Sequence, residues 1–221
     1  MILKANLEKQ KAIVVIPARG GSKGIPKKNL VKICGKPLIA YAIEASLKSK
    51  VSETWVSTDN DEIANIAMQY GAKIMKRPAE ISGDKASSED ALLHFTENNN
   101  NFKVLVFIQA TCPFIEYNDI NRALSMIKDY DSIISVSKFD QFLWRGNKPM
   151  YDIQSRKRRQ DREPTYIETG SMFVTKKENL LNSKNRISGK IGFVDVPKWR
   201  SIDIDTLDDL KFAEKIMLTK N

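Results

Sequence analysis

The protein has 221 residues, of which 42% are hydrophobic and 29% charged, and its formal net charge is +9. This composition is typical of a single globular domain, and no apolar run approaches the roughly 20 residues that a membrane-spanning helix needs. The charged first eleven residues do not resemble a secretory signal. Two cysteines, Cys34 and Cys112, are too few for a disulfide scaffold, so we expect free thiols and a cytoplasmic protein. The positive charge favours an anionic partner.

The first predicted element is a buried strand from Ala12 to Ile16, which stops at Pro17. Three glycines, a serine, an arginine and three lysines follow within eleven residues. Glycines allow tight turns and close approach of the backbone to a ligand, and consecutive N–H groups form an anion-binding hollow. The kinase-type phosphate loop and the dinucleotide fingerprint both have a different glycine spacing. The loop, with cations at Arg19, Lys23 and Lys28, therefore predicts a polyphosphate site of another type.

Strands and helices alternate along the rest of the chain. Apolar periodicity predicts helices at residues 38–48, 60–69, 88–97, 118–128, 178–182 and 206–217, and strands at 53–58, 72–75, 104–108, 132–137, 167–174 and 191–196. Asp59 or Asn60 is expected to cap the second helix, with capping as the role of Asp59, and Gly71 to close it. The alternation indicates a three-layer α/β domain whose mostly parallel sheet has helices on both faces.

Two positions in this pattern are candidates for ligand contacts. Gln109 follows the most apolar strand, and ligands of open parallel sheets bind at the carboxyl ends of the strands. Ser87, Ser88 and Asp90 lie where the third helix begins. Helix N-termini bind anions, but simple helix capping explains the same residues, and both interpretations remain open.

A pair of aspartates lies near the end of the chain. Asp203 and Asp205 alternate with Ile202 and Ile204, which predicts a half-buried strand with both carboxylates on one face. Like charges in this arrangement repel unless a cation lies between them. Carboxylates that leave room for water and phosphate suit Mg²⁺, although pairing with lysines is the simpler alternative.

The alternation of elements stops between residues 138 and 168. This segment contains Trp144, Tyr151, Tyr166 and a basic run at residues 156–159. It is too long for a bare loop in a compact domain. We therefore treat residues 1–221 as one domain in which 138–168 is an excursion that packs on a partner subunit or over the active site. The basic run is either a solvated surface or a lid that contacts a carboxylate or phosphate.

Several of these motifs together resemble one enzyme family. The string P-A-R-G-G-S-K-G-I-P-x-K-N, the pattern R-P-x-x-[LI]-x-x-D-x-A-S-S, the strand-end glutamine and S-I-D-I-D-T occur in the same order in the CMP-sialic acid synthetases. These are cytidylyltransferases with a Rossmann-like nucleotidyltransferase fold. The resemblance extends from Ala12 to about Lys215. Ala110, Cys112 and Thr169 depart from the family pattern, which puts fine contacts to the sugar or base in doubt.

The resemblance implies a role for each motif residue. It implies catalytic roles for Arg19, Ser22 and Lys23, and Mg²⁺ ligands at Asp203 and Asp205. It implies that the nucleotide contacts Arg19, Gly20, Gly21, Ser22, Lys23, Lys28, Asn29, Arg77, Ser88 and Gln109, and that the sugar acid contacts Gln109, Gly170 and Phe173. The excursion would serve for dimerisation, which makes a homodimer the expected state.

The implied reaction is transfer of CMP from CTP to the anomeric 2-hydroxyl of a nine-carbon sialic-type keto acid, with release of pyrophosphate. Neuraminate, legionaminate, pseudaminate and deaminated neuraminate all fit the sequence. Activation of the eight-carbon acid ketodeoxyoctonate is the nearest alternative, but the loop from Arg19 to Gly24 is closer to the sialic type. An alternative of another class is a non-catalytic basic module that binds nucleic acid.

Overall fold

The computed structural model describes residues 11–22 and 24–220, so Lys23 lies outside the described residues. The elements in chain order are β1 (Ala12–Pro17), β2 (Lys32–Ile33), β3 (Lys36–Pro37), α1 (Leu38–Leu47), β4 (Glu53–Thr58), α2 (Asp61–Gln69), β5 (Lys73–Lys76), α3 (Ser88–Asn98), β6 (Val104–Ile108), α4 (Tyr117–Met126), β7 (Ser132–Lys138), β8 (Trp144–Arg145), β9 (Lys148–Pro149), β10 (Tyr166–Lys176), α5 (Lys177–Ser183), β11 (Ile191–Asp195) and α6 (Leu207–Lys220). Most predicted elements are confirmed, with ends that differ by one to three residues.

The described residues form a seven-stranded sheet with the order β11-β7-β10-β6-β1-β4-β5. All neighbouring strands are parallel except β10, which runs antiparallel to both β6 and β7. The predicted mostly parallel sheet is confirmed. The reversal of β10 was not predicted, because strand direction depends on the path that the chain takes through the excursion before it.

The period-two pattern of the strands divides the core into two layers. In β1, Val14 and Ile16 pack with α1, α2 and α4, whereas Ile13 and Val15 pack on the opposite face with α3 and α5. All four of these β1 side chains are almost fully buried, and each contributes about 1.5–3 kcal/mol through removal of apolar surface from water. The three-layer arrangement is therefore confirmed.

The helix ends show how local sequence fixes the backbone around the sheet. Asn60 caps α2, because its Oδ1 accepts a hydrogen bond of 2.9 Å from the backbone N–H of Ile63. The prediction that Asp59 serves as a cap is wrong, since its carboxylate points elsewhere, as described below. Ser87 and Asp90 form a capping box at the start of α3. Gly71 follows α2 with φ of 90°, as predicted for the residue after a helix.

Residues 201–205 correct a second prediction, because they form an irregular segment and not a strand. The backbone N–H of Ile204 donates to the carbonyl of Thr111 at 3.0 Å. The segment therefore lies across the loop that follows β6, where no strand edge is available for a ladder. Ile204 is fully buried in a third small core with Ile33 and Phe114, which explains the apolar alternation that suggested a strand.

The excursion has little regular structure between β7 and β10. It contains the two-residue strands β8 and β9 and a short 3₁₀ turn at Arg159–Asp161. The ring of Phe142 packs against Tyr151, with the guanidinium groups of Arg156 and Arg162 within 4.6 Å of its centre. Trp144 is 53% exposed. In residues 11–22 and 24–220, no helix combines the length and the apolar character needed to cross a lipid bilayer.

Candidate functional site

A cleft of about 360 Å³ opens at the carboxyl ends of β1 and β6. Its walls come from the loop after β1, the start of α3, the end of β6 and the segment before α6. The lining residues are Pro17, Ala18, Arg19, Gly21, Ser22, Gly24, Lys28, Asn29, Arg77, Ala86, Ser87, Ser88, Phe107, Gln109, Ala110, Thr111 and Asp205. The volume suits a small ligand, and the place in the fold is where open α/β sheets bind one.

The loop after β1 is held by a carboxylate from the neighbouring strand. Asp59 follows β4, and its Oδ1 accepts a 2.9 Å hydrogen bond from the backbone N–H of Gly20. A Cβ at Gly20 would lie 2.9 Å from the Cβ of Asn60, so only glycine fits there without a shift. The Arg19 guanidinium reaches across to the carbonyl of Gly83 and to Asp84, at 3.0 and 2.8 Å.

The same loop folds back on itself and onto the second aspartate. The buried side-chain amide of Asn29 donates to the carbonyl of Arg19 at 3.0 Å, which ties the two ends of the loop together. The Lys28 ammonium lies 2.7 Å from Oδ1 of Asp205. A Cβ at Gly24 would overlap the carbonyl oxygen of Asp205, so the loop and the aspartate segment are in close backbone contact. The phosphate loop and a carboxylate thus share one wall of the cleft.

Arg77 is a buried cation with free donors at the cleft wall. Its side chain is 5% exposed, and Nη2 lies 3.8 Å from Oδ1 of Asp59, which is too far for a hydrogen bond. Among the described residues, neither Nε nor Nη2 has a hydrogen-bond partner. Burial lowers the pKa of the guanidinium, and the charge of Asp59 opposes that effect. Because buried N–H donors are costly when unpaired, this group is suited to an oxygen-rich ligand.

The opposite wall holds Asp203 through two side chains of the loop after β6. Its Oδ2 accepts a 2.6 Å hydrogen bond from Nε2 of Gln109, and its Oδ1 accepts one from the hydroxyl of Thr111. Burial raises the pKa of the Asp203 carboxyl, the bond from Thr111 lowers it, and the nearby charge of Asp205 raises it further. Asp203 is therefore a carboxylate that a cation would stabilise.

Comparison with known proteins assigns this chain to a family. Residues 13–216 match the family model described as Cytidylyltransferase. The chain belongs to the cytidylyltransferase family. It is 37% identical over 216 residues to N-acylneuraminate cytidylyltransferase A of Danio rerio, an alignment that covers 92% of this chain and 50% of that protein. This chain thus spans about half the length of that relative.

A second relative and a solved structure are also similar to this chain. Pseudaminic acid cytidylyltransferase of Campylobacter jejuni is 31% identical over 220 residues, with 92% of this chain and 95% of that protein covered. A solved structure of CMP:2-keto-3-deoxy-manno-octonic acid synthetase complexed with CTP superimposes with a TM-score of 0.76 at 19% identity, covering 96% of this chain and all of that one. At this identity the structural likeness establishes the shared α/β fold.

Asp203 and Asp205 fit the magnesium site that the sequence predicts. Within the described part of the chain, no three His, Cys, Asp or Glu side chains converge to form a complete metal cage. Mg²⁺ does not need one, because it is commonly bound by one or two carboxylates together with substrate phosphates and water. Asp205 lies against the loop that follows β1, and Asp203 is a half-buried carboxyl with a raised pKa. The donor set therefore fits Mg²⁺.

The structure brings most of the residues that are predicted to contact the nucleotide to one cleft. Arg19, Gly21, Ser22, Lys28, Asn29, Arg77, Ser88, Gln109 and Asp205 line it, and Gly20 and Asp203 bind residues in its walls. Ser88 is the first residue of α3, so it presents its hydroxyl at a helix N-terminus, while Ser87 does the capping. Lys23 belongs to the same loop but lies outside the described residues.

Besides Gln109, the two other predicted sugar contacts, Gly170 and Phe173, lie at different depths. Gly170, with φ of +72°, is close to Gln109, because a Cβ there would lie 3.9 Å from Oε1 of the glutamine. Phe173 is 1% exposed and stacks on Phe107 with 5.5 Å between ring centres. Phe173 does not line the cleft, so the structure gives it a packing role behind Phe107, which does.

Two functional candidates were missed by the sequence reasoning. Asp59 positions the phosphate loop and faces Arg77, and Thr111 holds Asp203. Both follow parallel strands at their carboxyl ends, so the rule that drew attention to Gln109 applies to them as well. The sequence favours helix capping for Asp59, because Asp and Asn are both preferred N-cap residues and Asp59 and Asn60 are adjacent.

Proposed function

We propose that the protein transfers the cytidylyl group of CTP to a nine-carbon sialic-type keto acid and releases pyrophosphate. The observation that carries this proposal is the contact between the phosphate loop and the aspartates, where the Lys28 ammonium lies 2.7 Å from Asp205. A triphosphate on the loop would place phosphate oxygens beside Asp203 and Asp205. This juxtaposition is what metal-assisted nucleotidyl transfer needs, since such reactions depend mainly on positioning and charge neutralisation.

Different walls of the cleft would bind different parts of CTP. Arg77, which follows β5, and Ser88, the first residue of α3, both line the cleft and would bind polar groups of the nucleoside part. The loop residues Arg19, Ser22 and Lys28 would hold the phosphates and neutralise the negative charge that grows during transfer. Lys23, in the same loop by sequence, would add a further positive charge.

The chemical step is an in-line displacement at the α-phosphorus. The 2-hydroxyl oxygen of the sugar acid forms a new bond to this phosphorus, and the bond from the phosphorus to the oxygen of the leaving pyrophosphate breaks. The proton of the hydroxyl passes to solvent in the open cleft, and His94 of α3 is not among the lining residues. Mg²⁺ held by Asp203 and Asp205 would supply charge neutralisation on the α-phosphate.

The substrate class rests on the motifs and on the relatives. The chain is 37% identical to a protein named for N-acylneuraminate and 31% identical to one named for pseudaminic acid. The sugar would lie between Gln109 and the β10 backbone at Gly170, where the positive φ brings the chain past the glutamine. Hydrogen bonds of Gln109 to the sugar acid would orient its 2-hydroxyl toward the nucleotide.

The test is a pyrophosphate-release assay with purified protein, CTP and Mg²⁺. The panel contains N-acetylneuraminate, legionaminate, pseudaminate, deaminated neuraminate and ketodeoxyoctonate, and mass spectrometry identifies each CMP-sugar formed. We expect release with at least one nine-carbon acid and little with the eight-carbon acid. A protein that turns over only ketodeoxyoctonate, or that turns over none of the acids and binds RNA in a salt-sensitive way, would contradict the proposal.

The excursion supports a homodimer as part of this proposal. Leu143, Trp144, Met150 and Ile153 are 45–57% exposed, and such a concentration of large apolar side chains is characteristic of protein–protein interfaces. Light scattering during size-exclusion chromatography should give about twice the 25.1 kDa mass of the chain. A mass of one chain at assay concentration would contradict it.

The exposed free thiol of Cys34 suits the reducing cytoplasm, which we propose as the location.

A further inference from the structure

A buried ion pair lies next to the aspartate segment but outside the cleft. Asp119 of α4 and Arg200 are both buried, with side chains 3% and 7% exposed. Two parallel hydrogen bonds join them, at 2.6 Å from Nη1 to Oδ2 and at 3.0 Å from Nη2 to Oδ1. Glu116 adds an ion pair to Nη1 of Arg200 at 2.9 Å. Fork-to-fork pairing of this type fixes geometry as well as adding energy.

The unit that holds Arg200 is the same unit that holds Asp203. The stretch from Gln109 to Asp119 begins at the end of β6 and runs into α4. At its start, Gln109 and Thr111 bind the carboxylate of Asp203, and the carbonyl of Thr111 binds the N–H of Ile204. At its end, Asp119 binds Arg200. Residues 200–204 are therefore clamped at both ends by a single continuous piece of the fold.

This clamp matters because the aspartate segment has no strand neighbours. Residues 201–205 are irregular, so sheet hydrogen bonds do not set the positions of the two carboxylates. On the other side, the segment is fixed by Asp209, whose Oδ2 accepts from the backbone N–H groups of Asp205 and Thr206. At its N-terminal end, the segment is supported by the short 3₁₀ turn Lys198–Arg200 and by the edge-to-face contact of Trp199 with Phe114. The pair at Arg200 adds a polar contact that joins this end to α4.

We propose that Asp119 and Arg200 are positioning residues for the metal-binding carboxylates Asp203 and Asp205, an inference that rests on the proposed function. A buried ion pair is weak evidence for stability alone, because the loss of hydration offsets most of its attraction. Its geometric specificity is the property that an irregular segment needs. Residues behind metal ligands typically change metal affinity or activity 10- to 100-fold when they are altered.

The test compares Arg200→Lys with Arg122→Lys. Lysine keeps the charge at 200 but cannot form the two parallel bonds. Arg122 also binds Asp119, at 2.7 Å, but its other contact is the carbonyl of Asp195 and its side chain is half exposed. We expect Arg200→Lys to weaken Mg²⁺ binding to the CTP complex about tenfold in calorimetry. Affinity for CTP without metal should stay within about twofold for both variants, and Arg122→Lys should keep wild-type Mg²⁺ affinity.

A second measurement does not depend on the proposed reaction. Amide hydrogen exchange should be faster at Ile204 in Arg200→Lys than in the wild type, and unchanged in Arg122→Lys. Glu116→Gln alters an exposed partner of Arg200 and should cause a smaller loss of Mg²⁺ affinity and a smaller increase in exchange at Ile204. This variant replaces Arg200→Lys in the test if Arg200→Lys fails to fold. Lower thermal stability with wild-type Mg²⁺ affinity and wild-type exchange at Ile204 would overturn the inference. A wild type that binds no CTP would refute the proposed function, and the exchange data would still decide the positioning role.

Discussion

The cleft has a loop side, formed by residues 18–22 and 24–29 with Arg77, and an aspartate side, formed by residues 201–205 with Gln109 and Thr111. On the loop side, groups that could bind a ligand are left without protein partners, as the two buried unpaired nitrogens of Arg77 show. On the aspartate side, the carboxylates are already bonded to Gln109, Thr111 and Lys28. The loop side therefore has hydrogen-bond donors available for a ligand. On the aspartate side, hydrogen bonds within the protein already fix the geometry.

The difference indicates how each side affects the stability of the protein and the binding of a ligand. Unpaired buried donors reduce stability until a ligand satisfies them, which is the general condition for tight recognition of an oxygen-rich group. A carboxylate whose oxygens both accept hydrogen bonds reduces stability less than an unpaired buried donor does, but its position depends on residues that are distant in sequence. We therefore expect substitutions on the loop side to separate binding from stability, and substitutions on the aspartate side to affect turnover through metal binding.

The largest effect is expected for Asp203→Asn. Loss of a metal-binding charge removes several kcal/mol of stabilisation of the transferring phosphate, so turnover should fall about 1000-fold. Circular dichroism should show that the fold persists. The control is Asp208→Asn in α6, whose side chain is 92% exposed and pairs with Lys211. Turnover within a few-fold of wild type for Asp203→Asn at saturating Mg²⁺ would refute the metal role.

The next effect is expected for Arg77→Met. Hydrogen bonds from a charged donor contribute about 1.5–3 kcal/mol, so CTP affinity should fall about 10- to 100-fold. The melting temperature without ligand should stay equal or rise, because a buried guanidinium with two nitrogens that lack hydrogen-bond partners is replaced by an apolar side chain of similar length. Lys76→Met, at the neighbouring exposed position, is the control for the loss of charge. A large fall in the melting temperature together with unchanged CTP affinity would reverse the assignment of this side.

Gly24→Ala tests the contact between the two sides. The added Cβ would overlap the carbonyl oxygen of Asp205, so the loop and the aspartate segment must move apart. We expect kcat/KM to fall about tenfold, which corresponds to about 1.4 kcal/mol, within the usual cost of overpacking. The control is Gly83→Ala, where a Cβ meets open space. If both variants had wild-type kinetics, the two sides would be independent of each other.

The smallest effect concerns the cap that ends the aspartate segment. Hydrogen bonds from the side chain and backbone of Thr206 and from the backbone of Asp205 lower the pKa of Asp209. A lowered pKa means that the charged form stabilises the fold above its unfolded pKa of about 4, and that this contribution is lost as the pH falls through the folded value. Asp209→Asn should cost about 1 kcal/mol at pH 7, and the difference should shrink below about pH 4 in urea unfolding. A constant difference between pH 7 and pH 3 would show that the charge does not contribute.

Much of the loop side could be predicted because its signals are local. The strand Ala12–Pro17, the glycines and the basic residues are adjacent in sequence. The contact of Asp59 with Gly20 was not predicted, because Asp59 and Asn60 are both suitable N-cap residues for α2 by sequence. On the aspartate side, the predicted strand is wrong, since a buried Ile204 gives a strand-like pattern in an irregular segment.

The alternation of strands and helices, the sheet with helices on both faces and the glycine-rich loop follow from the sequence alone, because hydrophobic periodicity and glycine spacing act over a few residues. The antiparallel direction of β10, the packing of Phe173 behind Phe107 and the pairing of Asp119 with Arg200 arise only in the folded chain. These features join residues up to 81 positions apart, as the bond between Asp119 and Arg200 shows. Such contacts depend on chain direction and packing, which no local pattern encodes.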